Sequence, residues 1–325
     1  MIDLSQLSPM MQHYMETKKE YPDCVLFYRL GDFYEMFFDD ALTVSKELEI
    51  TLTGKDCGLS ERAPMCGVPF HALDSYLYRL VQKGYKVAIA EQMEDPRQAK
   101  GLVKREVIRV VTPGTITSSQ VLDETKNNYL MGIVYMDGIY GISTADISTG
   151  DFMVTEVDSD RELFDEINKF SPSEIICNNA FYMSGVDMDE LKNRYQVVIS
   201  ALDSRFFGEE SCRRILMEHF KVGALVGLGL EDYATGIIAA GAVMQYIYET
   251  QKSTLEHITT ITPYSTGQYM VIDTSTRRNL ELVETMREKQ KRGTLLWVLD
   301  KTKTAMGARL LRACIEQPLI HRDEI

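Results

Sequence analysis

The first hundred residues alternate between strand-like and helix-like patterns of hydrophobic positions. Three apolar runs predict strands at residues 24–30, 86–92 and 105–111. Helical spacing of apolar or charged side chains predicts helices at residues 8–20, 39–49 and 71–84. The last of these helices ends at Gly84, a residue type that closes helices in the left-handed conformation. Pro113 and Gly114 then interrupt the pattern, so an α/β region is predicted to end near residue 113.

The second part of the chain begins with a pattern typical of β-hairpins. Residues 129–157 contain three strand-like segments, which are separated by turn pairs at residues 137–138 and 149–150. An antiparallel meander is therefore predicted. Helix-like and strand-like segments then alternate to about residue 250, which predicts a sheet that carries helices. A mostly helical region follows, and no compact set of closing elements ends it, so we expect a fragment of a longer protein.

The composition indicates a globular protein with several domains. Of the 325 residues, 45% are hydrophobic, which is enough for two or three cores of ordinary size. The six cysteines include no C-x-x-C pair, which argues against a disulfide framework and a zinc site. No window approaches about eighteen apolar residues, and the N-terminus lacks a signal-peptide pattern. We therefore expect a soluble cytoplasmic protein with no membrane association.

Charge is distributed unevenly along the chain. The net charge of −13 argues against a protein that holds nucleic acid by non-specific attraction to phosphates. Residues 83–109 differ, because they hold seven basic and four acidic side chains. The basic residues of this segment are Lys83, Lys86, Arg97, Lys100, Lys104, Arg105 and Arg109. The segment could form a local basic face, or it could be an ordinary solvated surface.

Common motifs for hydrolytic enzymes are absent from the sequence. The only Gly-Lys pair is Gly54-Lys55, and Asp56 follows it, so there is no P-loop to hold nucleotide phosphates. No H-E-x-x-H motif and no G-x-S-x-G nucleophile elbow occurs. Hydrolysis by these routes is not predicted.

Three aspartates leave one enzymatic alternative open. Asp137, Asp146 and Asp151 lie on or beside three adjacent predicted strands, and clustered carboxylates can hold Mg²⁺ for phosphodiester cleavage. Aspartate beside glycine is also common at turns, where it makes local hydrogen bonds, and this interpretation is favoured. Two functions therefore stay open as alternatives for this protein. One is a metal-dependent nuclease, and the other is a protein-interaction scaffold with no role in DNA binding.

The stretch "GDFYEMFFDD" interleaves aromatic rings with carboxylates, which no core accepts unpaired. If residues 24–37 are extended, Phe33 and Glu35 share one face, and Tyr34 and Met36 share the other. Such a surface pair can be incidental. Alternatively it is a recognition pair, because a phenylalanine can wedge between bases while a carboxylate accepts a hydrogen bond from a base edge.

Several longer segments follow one another in a specific order and spacing. They read "FYRLGDFYEMFFDDA", "PMCGVPFHALDSYLYRLV", "KVAIAEQMEDPRQAKGLVKREVIRVVTPGT", "TRRNLEL" and "LLWVLDKTKTAMGARLLRACIEQPL". In this order they resemble the N-terminal part of the bacterial MutS family, whose members recognise mismatches in DNA. The resemblance spans essentially the whole chain, and it favours the recognition pair over the incidental one.

The resemblance implies a role for each residue of the candidate site. Phe33 is expected to stack on a mispaired or unpaired base from the minor groove of bent DNA, and Glu35 to hydrogen-bond that base. The "GVPFHA" segment is expected to approach the minor groove through Gly67, Val68 and Phe70. The basic positions that match the family are Arg105 and Arg109, and Arg105 is the better candidate for a phosphate contact. For both residues, the alternative is a salt bridge on the protein surface.

The resemblance also implies the fold class and the domain boundaries. We expect a multidomain α/β protein with a mixed-sheet α/β domain for mismatch recognition, an RNase H-like α/β connector domain and an α-helical segment. The expected boundaries are 1–115 for the first domain, 116–127 for a linker, 128–252 for the connector, and 253–325 for the start of the helical core and lever region.

Partners and cofactors follow from the same resemblance. The expected partners are double-stranded DNA with mismatches or small loops, and the protein MutL, which docks on the connector. The full-length protein is expected to be a nucleoid-associated homodimer that binds ATP and Mg²⁺. The fragment is expected to be a non-enzymatic monomer, or a weakly associated one, without a cofactor, metal site or ATPase domain.

Overall fold

The computed structural model describes residues 4–94, 101–118 and 122–324. The chain divides into two compact units. The first unit comprises Met1–Pro113 with Tyr248–Ser253, and the second comprises Gly114–Ile247 with Thr254–Ile325. Among the described residues, no helix is both long enough and apolar enough to cross a membrane.

The first unit contains a six-stranded mixed sheet. Its strands are β1 (Cys24–Leu30), β2 (Phe33–Phe37), β3 (Thr53–Lys55), β4 (Ala63–Pro69), β5 (Lys86–Gln92) and β6 (Arg105–Val111). Their order is β3-β4-β2-β1-β5-β6, with β1 and β5 parallel and the other pairs antiparallel. Its helices are α1 (Pro9–Glu20), α2 (Phe38–Leu48) and α3 (Leu73–Gln82). The three strands predicted from apolar runs are β1, β5 and β6, with the predicted bounds.

Helices cover both faces of this sheet. Met11 and Tyr14 of α1 pack in one core with Leu26 and Tyr28 of β1, so α1 covers the face to which alternate residues of β1 point. The opposite face carries α2, and the Ala41 carbonyl of α2 accepts a hydrogen bond from the buried thiol of Cys66. Both faces of the central strands β1 and β5 are therefore largely buried.

A buried carboxylate ties α1 and β1 to the start of α2. Asp40 accepts hydrogen bonds from Lys18 Nζ at 2.9 Å, from the Leu26 main chain at 3.0 Å and from the Tyr14 hydroxyl at 3.2 Å. Burial and the nearby Asp40 carboxylate raise the pKa of Tyr14 well above its ordinary value. Because the buried charge is paired and hydrogen-bonded, it is compatible with the core. The acidic start predicted for this helix therefore has a tertiary role as well as a local one.

The second unit contains a second mixed sheet, as the expected fold class requires. Its strands are β7 (Leu130–Met136), β8 (Ile139–Asp146), β9 (Asp151–Val157), β10 (Glu174–Cys177), β11 (Val198–Ala201) and β12 (Thr262–Pro263). Their order is β11-β10-β7-β8-β9-β12, in which β7, β8 and β9 form the predicted antiparallel meander. The pairs β7–β10 and β10–β11 are parallel. This arrangement of β7 to β11 is that of an RNase H-like sheet.

The helices of the second part of the chain are of very different lengths. They are α4 (Asp160–Phe170), α5 (Asn179–Tyr182), α6 (Met188–Tyr195), α7 (Glu209–Phe220), α8 (Ala234–Gln251), α9 (Thr274–Asn279), α10 (Leu295–Leu299) and α11 (Ala305–Glu316). The start of α8 is capped from the sheet, because Glu156 accepts hydrogen bonds from the Thr235 and Gly236 main chains at 2.6 and 2.8 Å. A carboxylate near a helix N-terminus also complements the helix dipole.

The region predicted to be mostly helical has a long non-helical stretch. Residues 280–294, between α9 and α10, form turns in which Glu281 and Lys289 adopt left-handed backbone angles. Buried Leu282 and Val283 pack with Leu296 of α10 in a small core. The chain therefore buries these two apolar residues from turns, within a region for which the sequence predicted mostly helical structure.

Candidate nucleic-acid interface

Phe33 begins the second strand of a tight hairpin. The extended segment considered for residues 24–37 is divided into β1 and β2 by a turn at residues 31–32, where Gly31 has a φ of +59°. The predicted alternation holds within β2, since Tyr34 and Met36 are buried while the Phe33 side chain is 46% exposed. A large aromatic ring therefore stands in solvent directly beside a buried tyrosine.

The strand register defines which residues share the face of Phe33. Phe33 lies opposite Pro69 of β4, and Glu35 lies opposite Gly67. Residues paired across strands point to the same side of a sheet. We call the surface of Phe33, Glu35, Gly67 and Pro69 the hairpin surface. A β-carbon on Gly67 would lie 3.3 Å from the Tyr34 carbonyl oxygen and 3.5 Å from Glu35 Cγ, so a larger residue there would press closely on β2.

The Glu35 carboxylate is held on one side only. Its Oε2 atom accepts a hydrogen bond from Lys55 Nζ of β3 at 2.5 Å, and the Glu35 side chain is 15% exposed. Within the part of the chain that the structure describes, no residue donates a hydrogen bond to its Oε1 atom. One carboxylate oxygen is thus available to a donor that approaches from solvent.

A second exposed ring stands next to the hairpin. The Phe70 main chain donates a hydrogen bond to the Asp32 carbonyl at 2.9 Å, and its side chain is 43% exposed. The Arg29 guanidinium lies 4.0 Å from the Phe70 ring centroid, which is within cation–π distance. Arg29 also donates to the Gly31 carbonyl and lies 3.6 Å from Glu91. Arg29 therefore connects the hairpin turn to the loop that carries Phe70.

Tyr34 extends this network on the opposite face of the sheet. Its hydroxyl donates to Glu91 Oε2 at 2.6 Å. Burial, together with the hydrogen bond to Glu91 and its charge, raises the pKa of Tyr34 to about 12. Tyr34 therefore stays a neutral donor at physiological pH and anchors the strand beneath Phe33.

Val68 is placed away from the hairpin surface. It lies opposite Tyr34, on the other face of the sheet, and its side chain is 1% exposed. The expected approach of Val68 to DNA is therefore limited to its main chain in this structure.

Arg105 is buried, which corrects its selection as the better phosphate contact. The residue is 6% exposed, and its guanidinium donates to the Arg29 carbonyl at 2.7 Å and to the Val103 carbonyl at 2.6 Å. It also lies 5.2 Å from the Tyr28 ring centroid. These contacts tie the guanidinium to β1 and to the segment before β6, and they leave little of it accessible to a phosphate.

Arg109 points to the face opposite the hairpin surface. Arg109 pairs with Ile89 of β5, and Ile89 pairs with Phe27 of β1, so these three side chains share one face of the sheet. A bulge in the pairing at Ile89 and Ala90 shifts the register of β6. Arg109 has no ion pair with a residue in the described ranges, so the salt-bridged alternative does not hold for it there. The structure thus does not bring Arg109 together with Phe33 and Glu35.

The lysines of the basic segment 83–109 that the structure describes are paired. They contact acids in the pairs Lys83–Glu47 at 2.7 Å, Lys86–Asp23 at 3.6 Å and Lys104–Glu106 at 2.6 Å. The hydrogen bond between Lys104 and Glu106 raises the pKa of the lysine and lowers that of the glutamate. These pairs support the solvated-surface interpretation. Asp95, Arg97 and Lys100 lie outside the described residues.

Sequence patterns did not identify Lys55 or Arg29 as functional candidates. Lys55 lies in a three-residue edge strand that no periodicity predicts, and its sequence neighbours do not point to Glu35. Arg29 is part of the "FYRLGDFYE" stretch, which was its only signal.

The three aspartates considered for a nuclease do not form one site. Asp137 lies in the turn before β8, whereas Asp146 and Asp151 lie at the other end of that strand. Asp146 is buried and accepts hydrogen bonds from Asn127, Asn128 and Ser148 at 2.6 to 3.0 Å. The described residues contain no group of three His, Cys, Asp or Glu side chains that could hold a metal. The turn interpretation of these aspartates therefore agrees with their contacts.

Comparison with known proteins gives a consistent result along the chain. Family models match in order: MutS domain I at residues 8–120, MutS domain II at residues 128–259 and MutS domain III at residues 275–325. DNA mismatch repair protein MutS of Lachnoclostridium phytofermentans is 64% identical over 322 residues, which are 99% of this chain and 34% of that protein. The protein of the same name from Acetivibrio thermocellus is 54% identical over 325 residues, 99% of this chain and 37% of its own length.

The chain thus spans about a third of the length of the curated relatives it matches. Three consecutive domains of one family match it in order, and relatives with that name align with nearly all of it. The chain belongs to the MutS family.

Proposed function

We propose that the first unit recognises mispaired or unpaired bases in double-stranded DNA, as the initial step of post-replicative mismatch repair. The observation that carries this proposal is the exposure of Phe33. Its ring is 46% exposed at the start of β2, although the next residue of the strand is buried. An exposed ring on a rigid strand can insert into a base stack without first leaving a core.

The physical basis of recognition is the low cost of deforming a mismatch. Inserting an apolar side chain between bases unstacks a step and kinks the duplex, which costs a few kcal/mol for paired DNA. A mispaired base is already poorly stacked, so the same insertion costs less there. Phe33 would select mismatches chiefly through this difference in deformability.

Glu35 would add a direct contact with the displaced base. Its free Oε1 lies on the hairpin surface, next to Phe33 in the same strand. We propose that it accepts a hydrogen bond from that base, while Gly67 and Phe70 lie against the minor groove. Val68 takes part only through its main chain in this proposal. Arg105 and Arg109 are not proposed as phosphate contacts.

We propose a recognition domain at residues 1–115, a linker at 116–127, an RNase H-like connector at 128–252 and the start of the core and lever region at 253–325. The connector would relay signals and dock MutL. ATP with Mg²⁺, ATP hydrolysis, homodimer formation and action at the nucleoid are proposed for the full-length protein, and no enzymatic activity is proposed for residues 1–325.

Fluorescence anisotropy with the full-length protein tests the proposal. The affinities for a single-mismatch duplex and for the matched duplex are compared in wild type, Phe33→Ala and Tyr182→Ala. Stacking of an aromatic ring on a base contributes about 1–3 kcal/mol, so Phe33→Ala should bring mismatch binding close to the matched level. Tyr182, a partly exposed aromatic in α5 of the second unit, is the control and should leave the preference unchanged.

Other outcomes would favour the alternatives. Full mismatch preference in Phe33→Ala would contradict the wedge assignment. Absence of DNA binding by the full-length protein would favour an interaction scaffold. Metal-dependent cleavage that is lost in Asp146→Ala would favour a nuclease.

A further inference from the structure

Lys55 is the cation that contacts the proposed base-reading carboxylate. It lies in β3, and β4 separates β3 from β2, so its side chain crosses one strand to reach Glu35 Oε2 at 2.5 Å. The ammonium also lies 5.6 Å from the Phe37 ring centroid. The register puts Lys55, Ala63 and Phe37 on the same face of the sheet as Glu35.

The neighbouring cations are engaged elsewhere. Arg105 is buried and bonded to main-chain carbonyls. Arg29 contacts Glu91 and the Phe70 ring. No described cation other than Lys55 pairs with Glu35, so this lysine sets both the charge and the orientation of the carboxylate.

Two consequences follow for DNA that approaches the hairpin surface. An unpaired carboxylate would repel the phosphates of any duplex, and a paired lysine offsets that repulsion. The pair is only partly exposed to solvent, with 33% and 15% of the two side chains accessible, so salt screens it less than a fully exposed pair. Holding Oε2 also restricts the rotation of the carboxylate, so that Oε1 keeps one direction.

We propose that Lys55 is a specificity-determining positioning residue of the recognition site. It holds Glu35 Oε2 so that Oε1 accepts a hydrogen bond from an N–H group of the displaced base. It also keeps the carboxylate from repelling the duplex. This inference rests on the proposed function of Phe33 and Glu35, and it adds the third side chain that makes the reading contact selective.

The test is a double-mutant cycle in the full-length protein, measured by anisotropy on mismatched and matched duplexes. Lys55→Met keeps most of the aliphatic stem that lies near Phe37 and removes the charge. We expect the ratio of mismatch to matched affinity to fall about tenfold, the effect of losing one hydrogen bond to a charged group. Lys55→Arg should keep the ratio within about twofold, since a guanidinium also donates to a carboxylate.

The cycle separates positioning from simple phosphate binding. In a Glu35→Gln background, Lys55→Met should change the ratio by less than about twofold, because the carboxylate that Lys55 holds is no longer present. Lys83→Met is the matched control. It breaks a lysine–glutamate pair of similar length, which joins Lys83, the residue that follows α3, to Glu47 of α2 at 2.7 Å. This change should leave the ratio unchanged.

Two results of the cycle would overturn the inference. In the first, Lys55→Met weakens the binding of both duplexes equally, and by the same factor in the wild-type and Glu35→Gln backgrounds. Lys55 would then be an ordinary phosphate contact. An unchanged ratio in Lys55→Met would also overturn it. The Phe33→Ala variant distinguishes this failure from that of the proposed function. If Phe33→Ala loses mismatch preference while Lys55→Met shows no coupling to Glu35, only the inference about Lys55 fails.

Discussion

The guanidinium of Arg105 donates a hydrogen bond to the main-chain carbonyl of Arg29 at 2.7 Å, across the strand that separates β6 from β1. The Arg29 side chain in turn contacts the Gly31 carbonyl and the Phe70 ring. Arg105 therefore supports the strand that leads into the hairpin, although it does not itself face solvent.

Replacing Arg105 should affect stability and leave the electrostatics of DNA binding unchanged. We expect Arg105→Ala to destabilise the first unit by about 2–3 kcal/mol, because buried carbonyls lose a charged donor. The slope of log affinity against log salt should stay the same, since no phosphate contact is removed. Thermal unfolding and a salt titration measure the two effects, with Arg109→Ala as the half-buried control. A stable variant whose salt slope falls by about one would show that Arg105 does meet a phosphate.

Replacing Glu35 should reduce discrimination by a different route from replacing Phe33. Glu35→Ala leaves Lys55 unpaired, so the affinity for matched duplex should stay equal or rise. Mismatch affinity should fall slightly or stay similar, because the base hydrogen bond is lost while the unpaired Lys55 ammonium attracts the phosphates of either duplex. Anisotropy on both duplexes measures the ratio, and Glu47→Ala, which breaks the Lys83 pair, is the control. A large loss of matched-duplex affinity would contradict this account.

A glycine in the second sheet should be essential for its packing. A β-carbon at Gly141 would lie 2.4 Å from the Thr235 carbonyl oxygen, so α8 can approach β8 only where a side chain is missing. We expect Gly141→Ala to destabilise the second unit by about 1–3 kcal/mol through overpacking. Gly223→Ala, where no atom lies within 4 Å of the added carbon, should change stability by less than about 0.5 kcal/mol. Calorimetric unfolding of both variants tests the comparison.

The thiols should differ sharply in reactivity. Burial raises the pKa of Cys24, Cys66, Cys177 and Cys212 to about 12, whereas Cys314 is exposed. At pH 8 we expect an alkylating reagent to modify Cys314 rapidly and these four slowly, because the thiolate is the nucleophile. Mass spectrometry of the native protein measures this, and a Cys314→Ser variant should lose the fast phase.

The raised pKa values of the same four thiols predict that the free energy of unfolding falls at alkaline pH. The pKa values of these thiols are higher in the folded protein than in the unfolded chain. At a pH between the unfolded and the folded pKa value, the unfolded chain has therefore released more protons than the folded protein. Their contribution to stability should be complete below about pH 8.5 and should decrease as the pH rises toward 12. Denaturant midpoints measured between pH 7 and pH 10 should therefore fall, and a constant midpoint over that range would contradict the prediction.

The local sequence pattern was sufficient to predict structure wherever the conformation of a short segment depends on its own residues. Apolar runs bounded by turn residues determined the limits of β1, β5 and β6. The two-residue period of β2 determined that Tyr34 and Met36 share one face while Phe33 and Glu35 share the other. The pair at residues 137–138 determined a turn with two positive φ angles, and hence the meander. The family resemblance, rather than the pattern, selected Phe33 and Glu35 as a recognition pair.

Tertiary structure decided every contact between residues that are distant in sequence. The order β3-β4-β2 brings Lys55 to Glu35, and the order β1-β5-β6 buries Arg105 against the Arg29 carbonyl. A bulge opposite Ile89 places Arg109 on the other face of the sheet, because one extra residue reverses the alternation from that point. Basic residues in a strand-like pattern can therefore be recognised from sequence, but whether each faces DNA, a carboxylate or a buried carbonyl depends on which strands become neighbours.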